Sequence, residues 1–590
     1  MKLPHLLITL SGLIAGCSYH HQPATQHHTV AFMPDVHFQD IYGKINHKNV
    51  RHLAKDKEGA PLTIRTMADQ LGSTRLFNEN YFAFIAALDD AANKGIKLVV
   101  LNGDFSDDGQ PYNLAGFAEI LESYKQKYDI QFFLSPGNHD PSRPFGRPSP
   151  QKRLLTTNGD SLQIYSPKAE TCYEHSTDIC SEQAKEGSYQ DLIDYLGQFG
   201  FENNSEYLYW HTPFGQKATL MDRQYKICNE TDKDLCAKVP DLSYVVEPAK
   251  DLWLLSIDAN VFVPKSFEET TGQYDFIKSS NAGYNQLVKH KPELLKWIKS
   301  VSKQAKAQGK KLITFSHFPM TEFYDGSSHQ LEELFGKNSN QLKRKPNDSV
   351  SKELAQLGIK VHVGGHMHFN DTSQIRHQHD WLINVQAPSL AAYIPAYKTL
   401  MFAEGKNEQL QVRTHAVTEV ANFDKLFDAY RKEYQFLSQS KHNKVWNKQI
   451  LQSVSYLDFA RQHITELSLG RFLKEWPSEL AELLLSSDSS ELFNAVNAEQ
   501  SQPNWSGKQL IVDFYKVRNA GELAAEDIES SILKSYLKLH GSLKQYQQRT
   551  KQQDQLLELL EIFKALQNGQ ADRDFNINLD TGEITPVTTN

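Results

Sequence analysis

Apolar and polar positions along the chain fall into two textures. From Val30 to about Val417, short apolar runs alternate with stretches whose apolar residues recur every three or four positions. "TVAFMPDVH" reads as a strand entering a polar loop. A helix follows from about Asn78 to Asn93, with Phe82, Ile85 and Leu88 on one face, and "IKLVVLNGD" is the next strand. A second helix, near Leu114 to Lys127, leads into "IQFFLSPGNHD". Further on, "LSYVVEPAKDLWLLSIDAN" predicts two strands around a turn at Pro248, and a helix spans about Pro292 to Gln308. "KKLITFSHFP", another helix, "IKVHVGGHMHF", "WLINVQAP" and "LQVRTHAV" continue the pattern. Strands alternating with helices predict an α/β layered core over residues 30–417.

Two regions depart from that rhythm. Residues 141–240 hold Pro141, Pro144, Pro148 and Pro150 with Cys172, Cys180, Cys228 and Cys236, and read as an insertion stapled because its own core is small. From about Thr418 to the end, helical periodicity dominates, including Ile532 to Leu543 and Gln553 to Leu566, so residues 418–590 read as a separate, mainly helical region. "FNINLDTGEITPV" reads as a small hairpin turning on Asp580 to Gly582.

At 590 residues the chain exceeds one compact core, and two or three domains are expected. A net charge of −8 without a long basic run points to no nucleic-acid-binding surface, which leaves nucleic acid a weak candidate partner. The start changes the picture more: Lys2, an apolar run from Leu6 to Ile14, then Ala15-Gly16-Cys17, too short to span a membrane and suited to an export signal over 1–16. "LIAGC" resembles the lipobox of bacterial lipoproteins. That resemblance implies a lipid on Cys17 and a place in the bacterial cell envelope, with Ser18 pointing to the outer membrane; a plain cleaved signal with a stray cysteine is the competing reading, and the polar run without apolar periodicity reads as a flexible tether over 17–29. An even number of remaining cysteines in an exported chain suggests disulfides, of which Cys172 with Cys180 and Cys228 with Cys236 is the preferred arrangement among three. A structural zinc site competes, but C-x₂-C spacing is absent.

Five short motifs end predicted strands: "DVH" (Asp35, His37), "GDFSD" (Asp104, Asp107), "GNHD" (Asn138, His139), "SHFP" (His317) and "GGHMH" (His366, His368). Ligands of α/β sites gather at the carboxyl ends of strands. Carboxylates, an amide oxygen and imidazoles form a mixed oxygen and nitrogen set suited to borderline cations such as Mn²⁺, Zn²⁺ or Fe. On an extended segment, residues i and i+2 face one side, which lets each D-x-H or H-x-H pair share a site. Gly103, Gly137 and Gly365 permit close backbone approach.

The ordered series resembles the metallophosphoesterase (calcineurin-like phosphoesterase) superfamily, nearest in motif to its cyclic-nucleotide phosphodiesterase-like branch. The resemblance implies a four-layer α/β/β/α sandwich and two metal ions, divalent or trivalent. By matching position, Asp35, His37, Asp104 and His368 hold one ion and Asp104, Asn138, His317 and His366 the other. His139 becomes the general acid or oxyanion stabiliser, and Asp107 the carboxylate that orients it. The implied reaction is hydrolysis of a small phosphodiester or phosphomonoester by a hydroxide bridging the two ions.

Blander readings stand beside these. His377 and His379 suit a solvated turn, His362 a packed strand, and Asp140 a turn cap. Arg143, Arg147, Lys152 and Arg153 suit either an anionic substrate or a solvated loop; Tyr207, Tyr209 and Trp210 suit a nucleobase less well than packing. The competing functional class is a non-enzymatic envelope lipoprotein that keeps the fold and binds a partner through its helical region.

Overall fold

The computed structural model describes residues 28–148, 152–167, 172, 177–403, 409–439, 445–500 and 503–587. The export signal, Cys17 and nearly all of the tether lie outside the described residues. Among the described residues no helix is long and apolar enough to cross a membrane.

Strands β1 (Thr29–Phe32), β2 (Leu98–Asn102), β3 (Gln131–Ser135), β4 (Tyr209–His211), β5 (Tyr244–Ala249), β6 (Leu252–Ile257), β7 (Lys311–Ser316), β8 (Val361–Gly364), β9 (Asp371–His377), β10 (Asp380–Gln386), β11 (Ala396–Phe402), β12 (Gln409–Ala416), β13 (Phe575–Asn578) and β14 (Ile584–Pro586) include two seven-stranded sheets. One runs β14-β13-β12-β11-β1-β2-β3, the other β9-β10-β8-β7-β6-β5-β4. Strands β1, β2 and β3 are parallel in the first, and β6, β7, β8 and β10 in the second. These parallel strands are covered on both faces, which is why they read as continuous apolar runs rather than as alternations.

The sheets face each other. Phe32 meets Phe315 at 6.3 Å, and the Tyr244 hydroxyl donates to the Leu134 carbonyl at 2.9 Å. Helices α1 (Asn80–Asn93) and α2 (Pro111–Tyr128) pack through Phe84 and Phe117, stacked at 5.3 Å, over the first sheet. Helices α3 (Pro292–Ala307) and α4 (Asp348–Ala355) bury Leu294, Ile298, Val301 and Leu354 against the second. The four layers are those the family resemblance implies.

The turn after β5 differs from expectation. Pro248 lies inside the strand at a register shift between Val246 and Ala249, and the chain reverses at Lys250-Asp251, with Asp251 at φ 66°. A proline donates no ladder hydrogen bond, so a bulge tolerates it as a turn would.

Within residues 141–240 the cysteines pair as Cys172–Cys180 and Cys228–Cys236. The aromatic cluster is structural: Tyr209 stacks on Trp253 at 5.0 Å, and the Trp210 indole N–H donates to the Gly200 carbonyl at 2.9 Å. Beyond the sandwich, α5 (Tyr456–Gly470), α6 (Gly507–Ala520), α7 (Ser530–Gln545) and α8 (Lys551–Gln567) bury a core of their own. That core also takes in Phe323, Met367, Phe369 and Tyr393 from the sandwich. The chain end then returns, β13 pairing antiparallel with β12.

Candidate dinuclear metal centre

Every motif leaves its strand at the same end of the sandwich, where the two sheets are tied by the Asn102 amide donating to the Ser316 carbonyl at 3.3 Å. After β1 the chain runs beside the loop after β2, Asp35 N–H donating to Gly103 O at 2.9 Å and His37 N–H to Asp104 O at 2.7 Å. The side chains converge, though not through the pleat that the i, i+2 argument invoked. Asp35, His37, Asp104, His366 and His368 all take left-handed backbone conformations, with φ of 52°, 46°, 48°, 75° and 57°. Each such residue costs on the order of 1 kcal/mol or more, and clusters of them mark functional sites. Close approach supplies the rest: a Cβ on Gly137 would fall 2.2 Å from Asp104 Oδ1, and one on Gly103 2.4 Å from the His317 Cβ.

The result is two adjoining donor groups, Asp35 with His37 and His368, and Asp104 with His317 and His366. In the first, His37 Nε2 lies 3.0 Å from His368 Nε2, and Asp35 Oδ1 lies 3.4 Å from His368 Nε2. In the second, His317 Nε2 lies 3.2 Å from Asp104 Oδ2, 3.0 Å from His366 Nδ1 and 3.3 Å from Asn138 Oδ1. Asp104 Oδ2 also approaches His37 Nε2 to 3.8 Å, so this carboxylate stands between the groups. All seven residues expected to be ligands meet here.

The donor set fits a pair of cations. Asp35 Oδ1 is buried without a hydrogen-bond partner while facing imidazole nitrogens, and a bare carboxylate oxygen in such a place is costly unless a positive charge answers it. Burial, aided by the charge of Arg75, holds His37 well below the usual imidazole range; burial and Arg344 do the same for His366. Both rings are therefore neutral, as metal ligands must be. Burial alone would raise Asp104, but His317 and His139 outweigh it and keep the carboxylate ionised. His317 is pushed up to about 9, because Asp104 and Asp35 overcome burial.

His139 sits at the edge of this centre, its Nε2 4.0 Å from Asp104 Oδ2 and its backbone N–H donating to Asp104 Oδ1 at 2.8 Å. The carboxylate on its Nδ1 is Asp108, not Asp107 as the sequence suggested. Asp108 takes φ 74°, which turns its side chain back toward the site. Asp107 instead gathers cations: Arg65 Nη1 at 3.2 Å, Arg75 Nη2 at 3.0 Å and Lys152 Nζ at 3.0 Å. Arg75 Nη1 also lies 3.1 Å from His139 Nε2, so that nitrogen accepts and the ring is neutral in this arrangement. Burial and Arg75 disfavour its charged form, yet Asp104 and Asp108 raise its pKa above the ordinary value, so the ring takes a proton readily.

The model of the family described as calcineurin-like phosphoesterase matches residues 28–370. The chain belongs to that family. Among solved structures, a dimetal phosphatase from Danio rerio is similar at 10% identity with a TM-score of 0.33, covering 66% of this chain and 96% of that one. No curated protein matches.

Other sequence candidates fall outside this phosphoesterase centre. His362 is buried in β8 between Ser316 Oγ at 2.8 Å and Asn384 Oδ1 at 2.7 Å, and burial lowers it to about 4. Asp140 braces the loop, accepting from Gly137 N–H at 3.0 Å and Ser106 N–H at 2.9 Å. Arg147 pairs with Glu186 and Arg153 with Asp69, and neither lines the cavity over the donor groups. His377 ends β9 beside the turn that holds His379.

The roof of the site was not foreseen. Over the donor groups lies a narrow cavity of about 60 Å³. Its walls include Thr74 and Arg75, Arg344, and, from the helical region, His463, Leu467, Phe472 and Arg518. Helical periodicity shows which face of α5 or α6 is apolar; it carries no sign of which polar residue at the end of that face overlooks a metal site.

Proposed function

We propose that this family member is a metal-dependent phosphoesterase that hydrolyses small phosphomonoesters or phosphodiesters. The observation that carries the reading is the pair of buried donor groups sharing Asp104, with an ionisable histidine at their edge. Asp35, His37, Asp104 and His368 would hold one ion; Asp104, Asn138, His317 and His366 the other, both borderline cations of the Mn, Zn or Fe kind. Two such ions supply an activated water and clamp phosphoryl oxygens for in-line displacement.

The chain's own residues do the rest. Asp108 fixes the His139 ring through Nδ1, and Nε2, which accepts from Arg75 in this arrangement, takes a proton once a phosphoryl oxygen draws that guanidinium away; this proton then passes to the departing oxygen. Arg75, anchored by Asp107, places a guanidinium beside Nε2, positioned to meet an equatorial phosphoryl oxygen. The roof helices narrow the cavity over the site, and the lower the dielectric of its walls, the stronger the charges inside act. Their place in the cavity wall supports an enzyme over a partner-binding descendant of the fold.

Purified protein lacking residues 1–17 and loaded with Mn²⁺ should release p-nitrophenol from p-nitrophenyl phosphate or bis-p-nitrophenyl phosphate. Chelation should stop it. Failure on both, with metal bound, would refute the reading. We also infer an envelope location, supported by the N-terminal run and the disulfides; Cys17→Ser should move the protein from the membrane to the soluble fraction.

A further inference from the structure

The basic residues around the cavity divide by whether a carboxylate answers them. At the floor, Arg75 lines the cavity and reaches Asp107, which Arg65 and Lys152 also reach from behind the wall, and Lys152 reaches Asp108 at 2.7 Å as well. On the roof, Arg344 and Arg518 line the same cavity, and among the described residues neither makes an ion pair. Arg518 is only 5% exposed. A charge that deep is costly without a counter-charge.

Both arginines are nevertheless held in place. Arg518 donates through Nη1 to Asn340 Oδ1 at 2.7 Å and through Nε to Asn519 Oδ1 at 3.0 Å. Its guanidinium lies against the rings of Phe369, Phe472 and Tyr515, 4.4 Å from the last. Arg344 donates through Nη1 to Gln341 Oε1. The two acceptors, Asn340 and Gln341, are consecutive, both in left-handed conformations at φ 47° and 59°. Glu475, from the helical region, pins that turn by accepting from the Asn340 N–H at 2.9 Å. In each arginine Nη2 is left without a protein partner among the described residues. A strained turn thus aims two guanidiniums, with neutral amides as their holders, into a space whose far wall is the metal centre.

The scissile phosphoryl group has partners already, in the two ions that the seven donors would hold, in His139 and in Arg75. Arg518 touches none of them. We propose that Arg344 and Arg518 form a second oxyanion subsite, so that the preferred substrate is a phosphate ester whose organic part carries a further carboxylate or phosphate. This deepens, and rests on, the phosphoesterase reading. Guanidinium forks suit bidentate capture of such groups, and neutral side-chain holders leave the positive charge available to the substrate.

The test uses a matched pair, 3-phosphoglycerate and glycerol 3-phosphate, which differ by a carboxylate in place of a carbinol. Mn²⁺-loaded protein should favour 3-phosphoglycerate in kcat/KM by about tenfold or more, as one charge-assisted contact supplies. In Arg344→Gln and Arg518→Gln that ratio should fall to about three or less, whatever happens to the glycerol 3-phosphate rate. Arg518→Gln risks misfolding because the guanidinium packs on three rings, so Arg344→Gln, on a half-buried turn, decides alone if Arg518→Gln loses its circular dichroism signal. Calorimetric binding of the same two compounds reads the preference without turnover. Should the protein hydrolyse neither these esters nor p-nitrophenyl phosphate, the catalytic reading fails while the binding ratio still judges the subsite. No preference in the unmodified protein, or a ratio unchanged in the folded variants, overturns the proposal.

Discussion

The strand-end loops under the cavity hold their side chains by short polar contacts on a strained backbone, whereas the helices above hold theirs by packing. Below, five of the seven expected ligands sit at positive φ and an unpaired Asp35 oxygen faces imidazoles. Above, Leu467, Phe472 and Tyr515 belong to an apolar core, and the polar residues that look down are fixed one by one to amides and carbonyls. The difference teaches where each kind of failure should appear. Damage to the floor should remove the ions; damage to the roof should leave them bound and change what is done with them.

The sharpest break of that contrast is Asp104→Asn. Its carboxylate lies within 3.2 Å of His317 and 3.8 Å of His37, and removing it deprives both donor groups of the charge between them. Hydrolysis should fall by at least about a thousandfold and metal content should drop, measured by atomic emission on dialysed protein. A variant that keeps two ions per chain would break the floor's side of the comparison.

Asp108 and Asp107 sharpen it next, as neighbours in sequence with separate duties. Asp108→Asn should keep its metals and lose about ten- to a hundredfold in kcat, because the imidazole loses the acceptor that fixes it. Asp107→Asn leaves Arg65, Arg75 and Lys152 around a neutral group and should cost about 3 kcal/mol of stability or more in urea titration. Equal kinetic losses at both positions, with no stability loss at Asp107, would erase the distinction.

From the roof, His463 tests the opposite prediction. Its Nε2–H donates to the Ser73 carbonyl at 2.9 Å, tying α5 to the segment that carries Thr74 and Arg75. His463→Leu should lower kcat/KM by about tenfold through a loosened Arg75 while metal content stays the same. Lost metal would mean that floor and roof are one unit.

What was legible in the sequence follows the same division. The seven ligands could be read because each stands in a short motif at a strand end, and the order of those motifs carries the family resemblance that implies their roles. The α/β layering could be read because parallel strands are apolar throughout and their helices are not, whereas the count of four layers comes from the family resemblance. Asp108 could not be separated from Asp107, since the choice depends on a φ of 74° that breaks the extended path. Arg344 and Arg518 are 174 positions apart and meet only through the turn at Asn340 and Gln341, a tertiary contact with no sequence period. Pro248 misled because a bulge and a turn accept the same residue.

The effect furthest from the chemistry lies at the seam where the two regions join. Glu79 is fully buried beside the Arg75 segment, accepting from Gln70 Nε2 at 2.7 Å and, at 2.7 Å, from the hydroxyl of Tyr430 in the helix Phe427–Gln439. Burial raises its pKa from 4.5 to about 7. Above 4.5 the unfolded chain gives up this proton while the folded chain keeps it until about 7, so this group's contribution is complete below 4.5 and drains away as pH rises through that window. The loss is on the order of 3 kcal/mol at most. In Glu79→Gln the side chain cannot ionise, and the fall in Tm between pH 5 and pH 8 should be shallower than in the unmodified protein by several degrees. Parallel pH profiles for the two proteins would show that the seam carries no buried proton, leaving the floor and the roof joined by neutral contacts alone.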